Sequence, residues 1–366
     1  MAVNNYVAYG PEVEQKQENE EEDIQYIVDY MTQRNTEVFD KHRHAVRDAH
    51  AKSHGFLKGI LTIPENLPDH LAQGIFAHPG YYDVMVRLSA APGDLRSDKT
   101  PVPHGFALKI LNVPGERLLP EDSSEGKNQD FLMVNMPVLV FGTVRKYMQM
   151  LPFMTEVERV PELVMRGLRG VMRGVDHLVS RAGFPGSATI KGLARSQHHI
   201  LGETYHSMAA LRYGNYIAKI SVAPESESVK QLTGIPMQIQ EDSGIRDLVQ
   251  DFFKRNTADY VIRAQLCTNL DRMPVEDAAV LWDEDESPHQ VIGTLHFPKQ
   301  QTFSPARRVY SDDVLSFNPW HGVKEHQPLG SIMRVRMQVY ERSCCFRHYM
   351  NTQPRTEPNH IDDMPD

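Results

Sequence analysis

The sequence predicts an α+β protein with a mostly antiparallel sheet or barrel at its centre and helices around it. Three observations carry this expectation. Apolar and polar residues alternate in many short stretches. Helical stretches interrupt these strands without alternating with them one for one, as a parallel βαβ chain would require. No linker divides the middle of the chain, which argues for a single domain over residues 23–350. The chain has 366 residues, 40% of them apolar, enough for a sizeable core.

Taken in order, residues 1–22 are polar and acidic and read as a flexible arm. From Asp23 a helix is expected, because Ile24, Ile27, Val28 and Met31 repeat at helical spacing and Val38, Phe39 and Val46 carry the pattern toward His50. Phe56, Leu57, Ile60, Leu61 and Ile63 read as a strand closed by Pro64 and Pro68. Strands follow at YYDVMVRLS, HGFALKILNV and DFLMVNMPVLVF, bounded by the turn sequences APGD and VPGE. Residues 143–182 read as helical, with Arg166, Arg169 and Arg173 forming a basic stripe that suits a solvated face or an anionic surface. Strands resume at NYIAKISVAP, ADYVIRAQLCTNL and VIGTLHFP, the first two separated by the helical stretch SGIRDLVQDFFKRN. PLGSIMRVRMQVYERSCCFRHYM reads as a C-terminal helix, and residues 351–366, Pro-rich and acidic, as a flexible tail.

Net charge is -9, from 39 Lys+Arg against 48 Asp+Glu, which disfavours bulk attraction to nucleic acid. No apolar run approaches the ~20 residues of a spanning helix. The first residues lack the basic and apolar regions of a secretory signal. Cys267, Cys344 and Cys345 are odd in number, two are adjacent, and no CxxC pair is present. Free thiols in a reducing, cytoplasmic compartment are therefore expected. His42, His44, His50 and His54 cluster, but without HExxH or acidic partners at ligand spacing they make no zinc site. No Walker A loop, GxGxxG or GxSxG occurs.

His50 stands out through its frame. Arg47-Asp48-Ala49-His50-Ala51-Lys52 is followed by Val86-Arg87-Leu88-Ser89, Gly105-Phe106-Ala107-Leu108-Lys109 and Val134-Asn135-Met136-Pro137. Downstream come Tyr213-Gly214 with Lys219, Met273-Pro274-Val275-Glu276-Asp277-Ala278 with Trp282, and Phe303-Ser304-Pro305-Ala306. In order and spacing, over roughly residues 40–335, this resembles the catalase-like haem proteins. The resemblance implies a catalase-like antiparallel β-barrel, haem b as cofactor, and hydrogen peroxide or an organic hydroperoxide as substrate. It gives His50 the distal acid–base role, for which a neutral imidazole is suited. Asn135 would hydrogen-bond the bound peroxide and Ser89 would orient His50. Arg47 and Arg87 would bind the haem propionates, as bidentate guanidinium suits carboxylates. Phe106, Val138 and Phe141 would wall the pocket.

The proximal side departs from the family. Its R-x-x-x-Y segment, which supplies a tyrosinate ligand, has no counterpart in Ser316-Phe317-Asn318-Pro319-Trp320-His321 and the residues up to Leu329-Gly330. Counting back from Leu329-Gly330 places His321 at the ligand position; a shifted register offers Tyr310 instead, and a third reading has another ligand or no haem. The chain is also shorter than typical catalases and resembles the minimal catalase-like proteins. The implied activities are peroxide oxidoreduction, fatty-acid hydroperoxide isomerisation or dehydration, or non-catalytic haem binding. Peripheral lipid contact and a homo-oligomer remain open.

Overall fold

The computed structural model describes residues 6–119, 127–159 and 197–366. Its nine strands are β1 Ser53–Ile63, β2 Gly80–Ala90, β3 His104–Ile110, β4 Gln129–Val134, β5 Tyr205–His206, β6 Leu211–Tyr213, β7 Tyr216–Pro224, β8 Ala258–Leu266 and β9 Gln290–Phe297. Eight of them close a ring in the order β4-β3-β2-β1-β9-β8-β7-β5, all neighbours antiparallel, and β6 pairs with β7 outside the ring. Closure follows from alternation. Leu57, Val86, Leu88, Phe106, Leu108, Ile220, Ile262 and Leu295 point inward and fill the barrel, which leaves no unpaired sheet edge.

The other face of β1–β4 matters most for the site. Phe56, Met85, Ala107 and Leu132 face outward there and are covered by Tyr310, Leu315, Phe317 and Met364. Among the described residues, five helices surround the barrel: α1 Glu20–His42, α2 Val144–Arg159, α3 Gly244–Arg255, α4 Pro305–Val309 and α5 Ser331–Met350, besides single turns. α1, α2 and α5 pack together through Ile24, Ile27, Val28, Val144, Leu151, Val335 and Val339. The basic stripe at Arg166, Arg169 and Arg173 lies outside the described residues.

Several expectations are corrected. α1 stops at His42, because Arg43 turns left-handed (φ 54) and Ala45 is held at both its N–H and its carbonyl by the Asn351 amide. The strand expected through Phe141 ends at Val134, where Asn135 leaves the ladder. The acidic arm is docked: Val7 N–H bonds Cys267 O, Ala8 bridges Tyr216, and Glu14 and Glu20 meet Arg334 at 2.6 Å each, with Glu276 at 2.8 Å. The acidic tail is docked as well. Glu357 reaches Lys109 Nζ at 2.9 Å, and Asp130 lies 2.8 Å from the same ammonium, all three side chains being buried. The acidity that suggests a solvated tail instead supplies a counter-ion for a buried lysine. Burial opposes its charge, but Asp130 and Glu357 hold the Lys109 ammonium above its usual range.

Two predictions follow from this packing. Replacing Glu357 with Ala leaves Lys109 paired with Asp130 but strips hydrogen bonds from buried donors, and should destabilise the fold by about 1–3 kcal/mol; denaturant unfolding checks this, and unchanged stability would contradict it. Buried His54 and His326 are both held uncharged by burial, His54 well below its ordinary value and His326 down to about 3. They protonate more readily when unfolded. Stability is therefore complete above 6.5 and is lost as pH falls below it, at about 1.4 kcal/mol per unit for each. His54 and His326 together should account for a drop of about 3 kcal/mol in unfolding free energy between pH 7.5 and 5.5, and the other histidines held low by burial, His50, His199, His289 and His348, add to it in the same direction; a flat profile would contradict the assignment.

Candidate active site

The irregular segment after α1 delivers His50 to the outside of the barrel wall. Its backbone is left-handed (φ 57), uncommon for a residue with a side chain. Two hydrogen bonds hold it there: His50 N–H donates to Ala91 O at 2.9 Å, and its carbonyl accepts from Arg87 Nη1 at 2.8 Å. The imidazole Nδ1 lies 3.1 Å from Ser89 Oγ. Ser89 and Gly105 are register partners on β2 and β3. A Cβ at Gly105 would fall 2.5 Å from Nδ1 of His50, so only glycine lets the ring lie on the strand. Asn135 follows Val134, the partner of Gly105 on β4. Its Oδ1 accepts from His104 N–H at 2.9 Å and its own N–H donates to His104 O at 3.0 Å. His50, Ser89 and Asn135 thus come to one end of β2–β3–β4.

The electrostatics keep His50 neutral. Burial of the ring and the positive Arg87, Arg336, His104 and Arg47 around it push its pKa down to about 3. The side chain itself is half-buried. It therefore rests as a neutral imidazole near neutral pH, with one ring nitrogen a donor and the other an acceptor.

The arginines are engaged within the chain. Arg87, 1% exposed, places Nε and Nη2 3.1 and 3.0 Å from Oδ1 of Asp312 and gives its other donors to the carbonyls of His50 and Ala51. Arg47 donates to the carbonyls of Ser311, Asp312 and Leu315 at 2.7, 3.2 and 2.7 Å. Arg347, on α5, donates to the carbonyls of Asp312, Asp313 and Leu315. Three guanidiniums therefore grip one turn, Tyr310–Val314, and Asp312 is its carboxylate. Burial opposes charge there, but Arg87 and Arg47 hold the Asp312 carboxyl below the usual range.

The remaining expected residues are dispersed. Phe106 faces the barrel interior, with Tyr205, Tyr260 and Phe297 at ring distances of 5.2, 6.0 and 6.5 Å; the inward parity of β3 removes it from any pocket beside His50. Phe141 stacks on Tyr147 at 4.5 Å, before α2, and Val138 is half-buried in the same loop. His321 is 1% exposed, its Nδ1 3.2 Å from Lys109 Nζ and 3.5 and 3.7 Å from Asp130 and Glu357. Tyr310 packs against Phe56 at 6.1 Å, and its buried hydroxyl has no hydrogen-bond partner among the described residues.

Among the described residues, those assigned to haem do not fit it. The distal ring and the axial donor must lie on opposite faces of one iron. Lys109, which His321 touches, is four residues along β3 from Gly105, on which His50 rests, a separation of about 13 Å. Tyr310 sits in the apolar cluster of Phe56, Met85 and Leu111, and Met85 is equally far along β2 from Ser89. Burial, with Asp363 and Glu357 nearby, drives the Tyr310 hydroxyl upward, away from phenolate. Arg47 and Arg87, expected to bind propionates, are spent on the Tyr310–Val314 turn.

Asp312 is the residue beside the candidate site that the sequence left unassigned. The available signal was an acid in the segment where the family carries an arginine. Residue spacing could not show that this acid closes on Arg87.

No protein-family model and no curated protein sequence matches the chain. Solved structures do. A fungal catalase is matched over 84% of this chain and 60% of its own, at 18% identity and a TM-score of 0.57. Catalase A from Saccharomyces cerevisiae is matched over 86% and 64%, at 17% identity and 0.57. A bacterial catalase is matched over 98% and 68%, at 14% identity and 0.55. The chain spans less than two thirds of the length of the first two. With the closed antiparallel barrel and its surrounding helices, these matches establish that the chain has a catalase-like fold.

Proposed function

We propose that this chain binds a peroxide-class small molecule, hydrogen peroxide or an organic hydroperoxide, at His50, and that it does so without the haem clamp and dismutase activity of a catalase. The observation that carries the reading is the coexistence of an assembled His50–Ser89 pair with an Arg87 already closed on Asp312. In the tautomer whose Nδ1–H donates to Ser89 Oγ, neutral His50 presents Nε2 as the acceptor for a peroxide O–H. Ser89 fixes the ring's orientation, and Gly105 gives the ring its seat. Asn135, to which the resemblance gives the peroxide-binding amide, lies at the same end of β2–β3–β4.

A second reading, a haem-dependent oxidoreductase of peroxides, is favoured by the same His50–Ser89 pair, which is the base–orienter arrangement that O–O cleavage needs. It requires an anchor and an axial donor other than Arg47, Arg87 and His321. Haem b, when bound, would supply the redox-active iron.

Titration of the purified protein with hemin, followed by absorption and oxygen release on adding hydrogen peroxide, decides between them. The proposal expects no saturable one-to-one Soret shift and no rapid oxygen release. A stoichiometric ferric spectrum, with turnover that falls roughly 10²–10⁴-fold in His50→Ala, would overturn it in favour of the haem enzyme.

A further inference from the structure

Four side chains on and beside α5 form a constellation that the His50 site does not use. Cys344 Sγ lies 3.0 Å from Ser316 Oγ, and Ser316 Oγ lies 3.1 Å from Nε2 of His348. His348 Nδ1 is 3.0 Å from the carbonyl of Gln353. A carbonyl only accepts, so Nδ1 carries the proton and Nε2 is the acceptor. The Ser316 hydroxyl then donates to His348, and the Cys344 thiol donates to Ser316. Arg347 Nη2 donates to the same Ser316 oxygen at 2.9 Å. Ser316, Arg347 and His348 are buried, whereas Cys344 is half-buried.

We propose that Cys344 is a peroxide-reactive thiol that passes its proton through Ser316 to His348 as the sulfur is oxidised. In the reaction the thiol proton passes through Ser316 to Nε2 of His348. The sulfur attacks one oxygen of the hydroperoxide, the S–O bond forms as the O–O bond breaks, and the leaving oxygen takes up the proton as water or alcohol. Sulfur is oxidised to the sulfenic acid while the peroxide is reduced. Return to the thiol requires an added small thiol, because the adjacent Cys345 would form only a strained vicinal disulfide.

The surroundings support the assignment, since Arg347 Nη2 reaches the relay oxygen of Ser316 at 2.9 Å. Burial, with Arg347, Arg355 and Arg47 nearby, pushes His348 down to about 4. It is therefore a neutral acceptor that releases its proton readily to the leaving oxygen. The other two thiols are set the opposite way. Cys345 is exposed but bonded to Glu341 at 3.2 Å, and burial together with that carboxylate raises it to about 11. Cys267 is fully buried and also raised to about 11, burial being the main cause.

Exposure alone would direct oxidation to Cys345, whereas the constellation directs it to Cys344. The test is to treat the full chain with substoichiometric hydrogen peroxide, trap sulfenic acid with a 1,3-dione and locate the adduct by peptide mass. The adduct should lie on Cys344 in the unmodified chain and in Cys345→Ser, and be lost in Cys344→Ser. It should form at least about tenfold more slowly in Ser316→Ala and His348→Gln, as expected on losing a proton carrier. An adduct on Cys345 or Cys267 of the unmodified chain, or unchanged rates in folded Ser316→Ala and His348→Gln, would overturn it.

Discussion

The ion pair between Arg87 and Asp312 is the constraint around which the site is arranged. Arg87 leaves the middle of β2, buried to 1% exposure, and its charge has no water to solvate it. A buried guanidinium must be paired, and leaving it unpaired is strongly destabilising. Asp312 meets that need, and in doing so draws the Tyr310–Val314 turn onto the barrel wall. The same guanidinium fixes the carbonyl of His50 and so the left-handed backbone that presents the imidazole. One charge therefore ties β2, the loop after α1 and the turn before α5 into a single unit.

The two chemistries proposed both border that unit. His50 rests on β3 with Ser89 beside it, and its neighbours keep it neutral. Cys344 lies on α5 beside Ser316, whose hydroxyl oxygen also accepts from Arg347. Both arrangements use the arginines as internal scaffolding. That use is incompatible with the same arginines serving as open anchors for the carboxylates of a bound haem.

Much of this was legible in the sequence, for identifiable reasons. Alternation in YYDVMVRLS and HGFALKI exposed β2 and β3, because half of each strand must fill the barrel. The frame around His50 survived as local sequence, so Ser89 and Asn135 could be placed with it. What could not be read depends on partners distant in sequence. Asp312 and Arg87 are 225 residues apart, and nothing local to either announces their pairing. His321 fell at a plausible ligand position by counting, yet the fold delivers it to Lys109. The acidic termini read as solvated because composition carries no record of the buried Lys109 and the half-buried Arg334 that they neutralise. Phe106 was assigned to a pocket wall on resemblance, while the strand's parity turns it into the barrel.

If Asp312 does the work of an external carboxylate, removing it should leave a vacancy that a small carboxylate can fill. The most direct measurement is the thermal midpoint of Asp312→Ala as acetate or propionate is added at constant ionic strength. The account predicts a destabilised variant whose midpoint rises with carboxylate concentration, with no comparable rise in the unmodified chain. A variant as stable as the parent, or one indifferent to added carboxylate, would contradict it.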